Sequence, residues 1–247
     1  MAIDYHRLMT RAFPDKAHTY TRRDTMLYAL GVGLGGDPLD EGQLAFVYEH
    51  GLKALPSMAC VLGYPGFWAS QPDTGIDWRR VVHAEQSFVL HAPLPVAGTV
   101  IGRNRITAIH DRGAGRGAFL AQERQVVDAA DGRLLASVSQ LSLLRGDGGF
   151  GGPPGAPEPP HPIPGRAPDL LCDLPTLAQA ALIYRLSGDD NPLHADPQAA
   201  AAAGFARPIL HGLCTMGVAC HAVLRAVCGY DPARLRAMRV RFTAPVL

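Results

Sequence analysis

The chain has almost no net charge: 23 Lys and Arg against 22 Asp and Glu leave a formal +1, with the basic residues scattered. The broad positive field of a nucleic-acid or membrane-surface binder is therefore missing, which favours a small-molecule partner. Long apolar runs are also missing. The first sixteen residues, MAIDYHRLMTRAFPDK, carry charge throughout and contain neither a signal peptide nor a span, so the expectation is a protein neither secreted nor membrane-spanning. Cysteine is scarce and odd in number. Cys60, Cys172, Cys214, Cys220 and Cys228 read as reduced core residues in a cytoplasmic setting, not as a disulfide framework. What the sequence does have is apolar content: 47% of its 247 residues suffice for one large or two small cores.

Residues 146–168 hold 15 Gly or Pro in 23 positions, a composition that supports neither helix nor sheet interiors. This reads as a linker between a unit at 1–145 and a unit at 169–247. The two units share a weak repeat. Tyr28-Ala29-Leu30-Gly31-Val32-Gly33 follows a stretch opened by Thr21 and Asp24, and Tyr184-Arg185-Leu186-Ser187-Gly188-Asp189 follows one opened by Thr176 and Gln179. Both look like capped helices running into a glycine loop. Pro56 precedes Pro93 by 37 residues, as Pro208 precedes Pro245. The first unit then continues through three β-like runs near 97–110, 117–128 and 133–144, whereas the second stops two residues after Pro245. The second copy thus reads as truncated, with the natural product expected to be longer or another chain to supply the strands, since an unpaired edge is a liability.

Chemistry-bearing residues concentrate in the second unit. One helix is expected over Thr176 to about Leu186. A second has Asp196 as N-cap, Pro197 at its first position and Gly204 as its stop. Between them Ser187-Gly188-Asp189-Asp190-Asn191-Pro192-Leu193-His194 forms a tight loop, because Gly188 and Pro192 forbid a continuous helix. A third helix, from His211-Gly212 to Cys228, is apolar over most of its circumference and should be buried. Strand-like alternation at Met238–Thr243 sets Met238, Val240 and Phe242 opposite Arg239, Arg241 and Thr243.

Tyr184, the Gly188-Asp189-x-Asn191-Pro192-Leu193-His194 run, Ala200 and Pro208-Ile209-Leu210-His211-Gly212 resemble the signature of the MaoC-like, R-specific enoyl-CoA hydratases (hydratase 2). Tyr28–Gly33 and His83-Ala84-Glu85-Gln86 resemble marks of the non-catalytic half in the two-hotdog members. The resemblance covers most of residues 20–247. It implies an α+β double hotdog: two units, each a long buried helix wrapped by antiparallel sheet, the second incomplete. It also implies reversible hydration of a trans-2-enoyl-CoA to a (3R)-3-hydroxyacyl-CoA, in fatty-acid, sterol side-chain or related acyl-CoA metabolism. Asp189 and His194 would hold one water and move its protons, a task suited to an imidazole that titrates near neutrality. Gly212, opening the buried helix, would offer its N–H to the thioester oxygen as an oxyanion hole. Asn191 and His211 join Gly212 as substrate-side positions, Asn191 more as an orienter of the loop or of the His194 ring. No cofactor or metal is needed, the CoA thioester being substrate.

Blander readings stand beside these. Asp189 alone could be a helix cap, and His211, His221 and His161 could be structural or exposed. Asp189, Asp190, His194 and Asp196 could suggest a divalent ion, but Asp190 and Asp196 have better uses in the loop and cap. Glu85 reads as structural, holding the two units together or bonding buried backbone. By the repeat, Gly33 stands where Asp189 stands, so the first unit should be catalytically dead. Gly31, Gly33, Gly35 and Gly36 are consistent with room for a long acyl chain. Arg207, Arg239 and Arg241 are candidates for gripping CoA phosphates. An acyl-CoA thioesterase and a non-catalytic acyl-CoA binding subunit are the alternative functions. A homodimer is compatible with either, and a peroxisomal address stays open beside the cytoplasmic one.

Overall fold

The structure is a computed structural model and describes residues 3–247. The first unit opens with a short helix α1 (Tyr5–Met9), strand β1 (Lys16–Tyr20), helix α2 (Arg22–Gly31) and helix α3 (Glu41–Val47). It continues through a 3-10 turn (Pro56–Cys60) into β2 (Val81–Leu90), β3 (Gly98–Asp111), β4 (Ala118–Asp128) and β5 (Leu134–Leu144). The second unit contributes α4 (Ala180–Tyr184), α5 (Pro197–Ala202), α6 (Gly212–Val223) and β6 (Ala237–Arg241).

Local signals account for several of these boundaries. Thr21 and Asp24 form the reciprocal capping box that starts α2, and Asp196 accepts the Gln198 N–H at 2.8 Å to start α5. The expected helix start at Thr176 is not formed. α4 begins at Ala180 without a side-chain cap; residues 175–179 are exposed and have no buried apolar face to offset the entropy of ordering a short helix. α6 starts and stops as expected, its last turn widening over Leu224–Cys228 before Gly229 at φ +59°.

All six strands form one antiparallel sheet in the order β1-β3-β4-β5-β2-β6. The second unit's β6 therefore extends the first unit's sheet, pairing Phe88 with Met238 and Gln86 with Val240. Val100, Val126, Val138 and Phe88 point inward to meet Cys214, Met216, Cys220 and Leu224 of α6 and Tyr28, Ala29 and Val32 of α2 in one core. A second cluster, including Trp68, Ile106, Ile109, Leu120 and Leu144, lies at the other end of the sheet. Where the repeat sets Pro56 against Pro208, the first unit has only its 3-10 turn, so α6 is the long buried helix of the sheet.

The repeat has a packing counterpart. Tyr28 and Tyr184 stand with ring centroids 5.9 Å apart, and a Cβ on Gly31 would sit 3.5 Å from the Cα of Tyr184. α6 crosses α2 at Gly217, where a Cβ would meet Val32 Cγ1 at 2.4 Å. Gly33 and Gly35 have φ of +88° and +81°, which only glycine adopts readily. Gly31 thus serves a close helix approach, and Gly33 and Gly35 a left-handed turn.

The Gly/Pro-rich stretch contains no helix or strand and is tied to the sheet at its start. Asp111 accepts N–H groups from Gly149 at 2.7 Å and Gly151 at 2.9 Å, and Phe150 packs into the second cluster. Further on, Glu158 reaches Arg239 at 3.3 Å.

Candidate active site

The loop after α4 is built by short-range bonds. Gly188 turns the chain at φ +110°. Asn191 Oδ1 accepts the Leu193 N–H at 3.1 Å, starting a turn over Pro192–His194, while its own N–H donates to Asp189 Oδ1 at 3.3 Å. The exposed Asn191 side chain is thereby a fastener of the loop. His194 is fixed from the other side: its Nδ1 lies 2.8 Å from the Ile209 carbonyl oxygen. A carbonyl only accepts, so Nδ1 carries a proton, and in the neutral ring Nε2 is the nitrogen with the lone pair.

His211 belongs to the same cluster. It is fully buried, stacked on His194 with centroids 3.8 Å apart and planes 27° apart, and its Nε2 donates to the Asp189 backbone oxygen at 3.2 Å. Burial, and secondarily the neighbouring His194, push its pKa down to about 4, so it is neutral at pH 7 with an acceptor at Nδ1, an atom with no protein partner. Asp189, His194 and His211 each bring one donor-pair atom within 4.8 Å of the others. Such a group could surround a cation. It equally suits a water, which has two protons to give to the carboxylate and to a ring lone pair.

His211 is also the N-cap of α6, and no side chain caps that end. Gly212, the first helical residue, has an N–H with no acceptor inside the helix. The Phe242 ring lies over it, 3.2 Å from where a Cβ would be. His83 meets the same ring edge-on at 4.9 Å, and burial pushes its pKa down to about 4 with Asp189 acting weakly the other way. Tyr64 is near enough for Asp189 and Asp190 to add to the effect of burial, raising its phenol to about 12. Thus two first-unit residues, Tyr64 and His83, stand beside a loop of the second unit. Tyr64 has no motif to announce it; His83 is visible only as part of its segment.

Arg239 and Arg241, candidates for CoA phosphates, are committed elsewhere. Arg239 Nη2 donates to Glu85 Oε2 at 2.7 Å and Arg241 Nε to Oε1 at 2.6 Å. Glu85 is buried on β2, so the pairing fastens β6 to the first unit, as its structural reading implies. Arg207 is exposed. His221 is buried with Nε2 3.4 Å from Tyr230 Oη, and His161 is exposed; neither approaches the loop. Cys60, Cys214, Cys220 and Cys228 are buried and none of the five cysteines is bonded to another.

Residues 18–146 match the MFE-2 hydratase 2 N-terminal domain, and residues 161–247 match the MaoC like domain. The chain is 42% identical to 3-hydroxyacyl-thioester dehydratase Y of Mycobacterium tuberculosis, over 100% of this chain and 84% of the relative. It is 39% identical to enoyl-CoA hydratase ChsH3 of the same organism, over 98% of this chain and 85% of the relative. Among solved structures, a MaoC-like dehydratase from Phytophthora capsici superposes with a TM-score of 0.85 at 31% identity, covering 99% of this chain and 84% of that one. Related along both halves, the chain belongs to the MaoC-like, hydratase 2 family of double hotdog enoyl-CoA hydratases and dehydratases.

Proposed function

We propose that this chain adds water to a trans-2-enoyl-CoA, giving a (3R)-3-hydroxyacyl-CoA, and removes it in reverse, with Asp189 and His194 as the acid-base pair. The carrying observation is the convergence of a carboxylate and two imidazole rings, with one polar side-chain atom from each of the three within 4.8 Å of the others. A water held by Asp189 and His194 Nε2 loses one proton to the pair as its oxygen forms a bond to C3. The π electrons move toward the thioester oxygen, and C2 then takes a proton from the pair, so water is added with no net change in the enzyme. Charge developing on the thioester oxygen is met by the Gly212 N–H and the positive end of α6. The neutral His211, stacked on His194, keeps a second positive charge from competing with a protonated His194. No metal or cofactor is part of this reading.

No helix among the described residues is long and apolar enough to cross a membrane. Relatives from Arabidopsis thaliana and Mus musculus are named as peroxisomal enzymes, and fluorescence of a tagged chain decides between a cytoplasmic and a peroxisomal placement. The test of function follows loss of enoyl absorbance with Asp189→Asn and His194→Ala. Each is expected to lower turnover by at least ~10²-fold, the scale of losing a general acid or base. Unchanged rates in both would end the mechanism, and thiol release from saturated acyl-CoA would favour a thioesterase.

A further inference from the structure

The inward face of the sheet is not uniformly apolar. The register places Asn104 beside Arg124, Gln122 beside Gln140, and Gln140 beside Gln86. These side chains share the face that carries Val126, Val138 and Phe88 into one core and Leu120 and Ile106 into the other. A polar band therefore crosses the sheet between the two apolar clusters. Most of its members have partners: Trp68 Nε1 donates to Gln122 Oε1 at 2.9 Å, and Gln140 Nε2 to Ser142 Oγ at 3.3 Å.

Arg124 is the exception. It is 6% exposed, yet it has no carboxylate partner among the described residues. Its Nη2 donates to the Cys60 carbonyl at 2.5 Å, its Nε is buried without any partner, and its Nη1 makes no hydrogen bond among the described residues. Its guanidinium carbon stands 5.7 Å from the ring centroid of Tyr64, the residue that also borders Asp189. His18 supplies no countercharge, since its Nδ1 accepts the Gly63 N–H at 3.1 Å. Buried arginines are nearly always paired, because an uncompensated charge loses its hydration without replacement. The pattern here is a buried cation without a countercharge, facing the ring of a residue that feels the Asp189 charge.

We propose that Arg124 is a specificity-determining residue whose guanidinium receives the far-end carboxylate of an acyl chain, so that CoA half-esters of unsaturated dicarboxylic acids are preferred over plain alkyl chains. A carboxylate suits it better than a neutral carbonyl, because Nε and Nη1 have no protein acceptor among the described residues and the charge itself lacks a countercharge. In this proposal the acyl chain runs along Tyr64, whose ring faces Arg124 and whose phenol feels the Asp189 charge. This assignment rests on the hydratase reading.

The experiment uses the full chain and trans-2-enoyl-CoAs of matched lengths ending in either methyl or carboxylate. At the length that reaches Arg124, the carboxylate-ended substrate is expected to have a kcat/KM at least about tenfold higher, and Arg124→Met to reduce that ratio to one or below, with Arg124→Lys intermediate. A merely structural arginine would lower both series together and leave the ratio unmoved. Wild-type preference for methyl ends at every length, or an unchanged ratio in Arg124→Met, overturns the proposal. If Arg124→Met fails to fold, the wild-type ratio and Arg124→Lys decide. Calorimetric binding of the saturated analogues separates the two levels: carboxylate preference with no turnover of any enoyl-CoA refutes the reaction but keeps the subsite. Turnover of both series without preference refutes the subsite alone.

Discussion

Replacing Glu85 by alanine should loosen the junction between the two halves, and the structure sets the size of the effect. The carboxylate is 8% exposed and binds Arg239 through one oxygen and Arg241 through the other, while the two arginine side chains are 45% and 33% exposed. Removing one partner of a fully buried pair costs about 3–5 kcal/mol, whereas a fully exposed pair contributes about 0–1. Here the residue removed is buried but the arginines left behind can rehydrate in part, so a loss of about 2–3 kcal/mol is expected. Glu85→Gln keeps one acceptor oxygen without the charge and should lose roughly half as much. Urea unfolding of the full chain measures this, and added salt should change the difference little because the carboxylate is shielded from solvent. Hydrogen exchange localises it: amides of β6 and of its partner β2 should lose protection first. Changing Glu85, Arg239 and Arg241 together to methionine should be far milder than Glu85→Ala, since no buried charge is left unpaired and Glu158, which loses Arg239, is exposed. A Glu85→Ala chain within about 0.5 kcal/mol of wild type, the range of an ordinary surface change, would refute the pairing as a structural junction.

Other perturbations have equally definite outcomes. Gly102→Ala should be strongly destabilising, because its Cβ would fall 2.1 Å from the Gly63 backbone oxygen; two backbones must part, and a melting temperature near wild type would show that they do not meet. Asp196→Ala should cost about 1 kcal/mol in urea unfolding, the usual value of an N-cap. Stability should fall as pH drops from about 6.5 toward 4. His83 and His211 have folded pKa values lowered to about 4, so in that window the unfolded chain binds more protons; each contributes up to roughly 3 kcal/mol. His211 is the more fully buried of the two side chains, so His211→Gln should flatten the profile more than His83→Gln. A pH-independent midpoint between 6.5 and 4 would contradict this.

What was readable in the sequence was what neighbours along the chain decide. Thr21 with Asp24 and Asp196 with Pro197 begin α2 and α5 because a cap acts within one turn, and Gly188, Asn191 and Pro192 shape the loop after α4 for the same reason. Thr176 carries the same kind of cap signal and fails, because Leu177 is exposed and nothing across the fold rewards that turn. The packing roles of Gly31 and Gly217 were not legible for a related reason: another helix crosses at each, a fact that the positions of Tyr184 and Val32 determine.

The site divides along the same line. Asp189 and His194 sit in one tight motif and could be named from it, whereas His211 owes its place to stacking across 17 residues, and Tyr64 and Arg124 owe theirs to strand register and to the segment laid over it. Arg124 sits on β4 between Glu123 and Gln125, in a run of charged and polar residues that reads as a solvent face. Only the pairing of Arg124 with Asn104 and Val138 turns it inward. A one-residue slip of β4 would expose Arg124 and bury Glu123 and Gln125. For a charge placed inward by register, where an apolar residue would pack with less cost, the proposed carboxylate subsite supplies a ligand-side reason, and the matched enoyl-CoA series decides between it and a merely structural arginine.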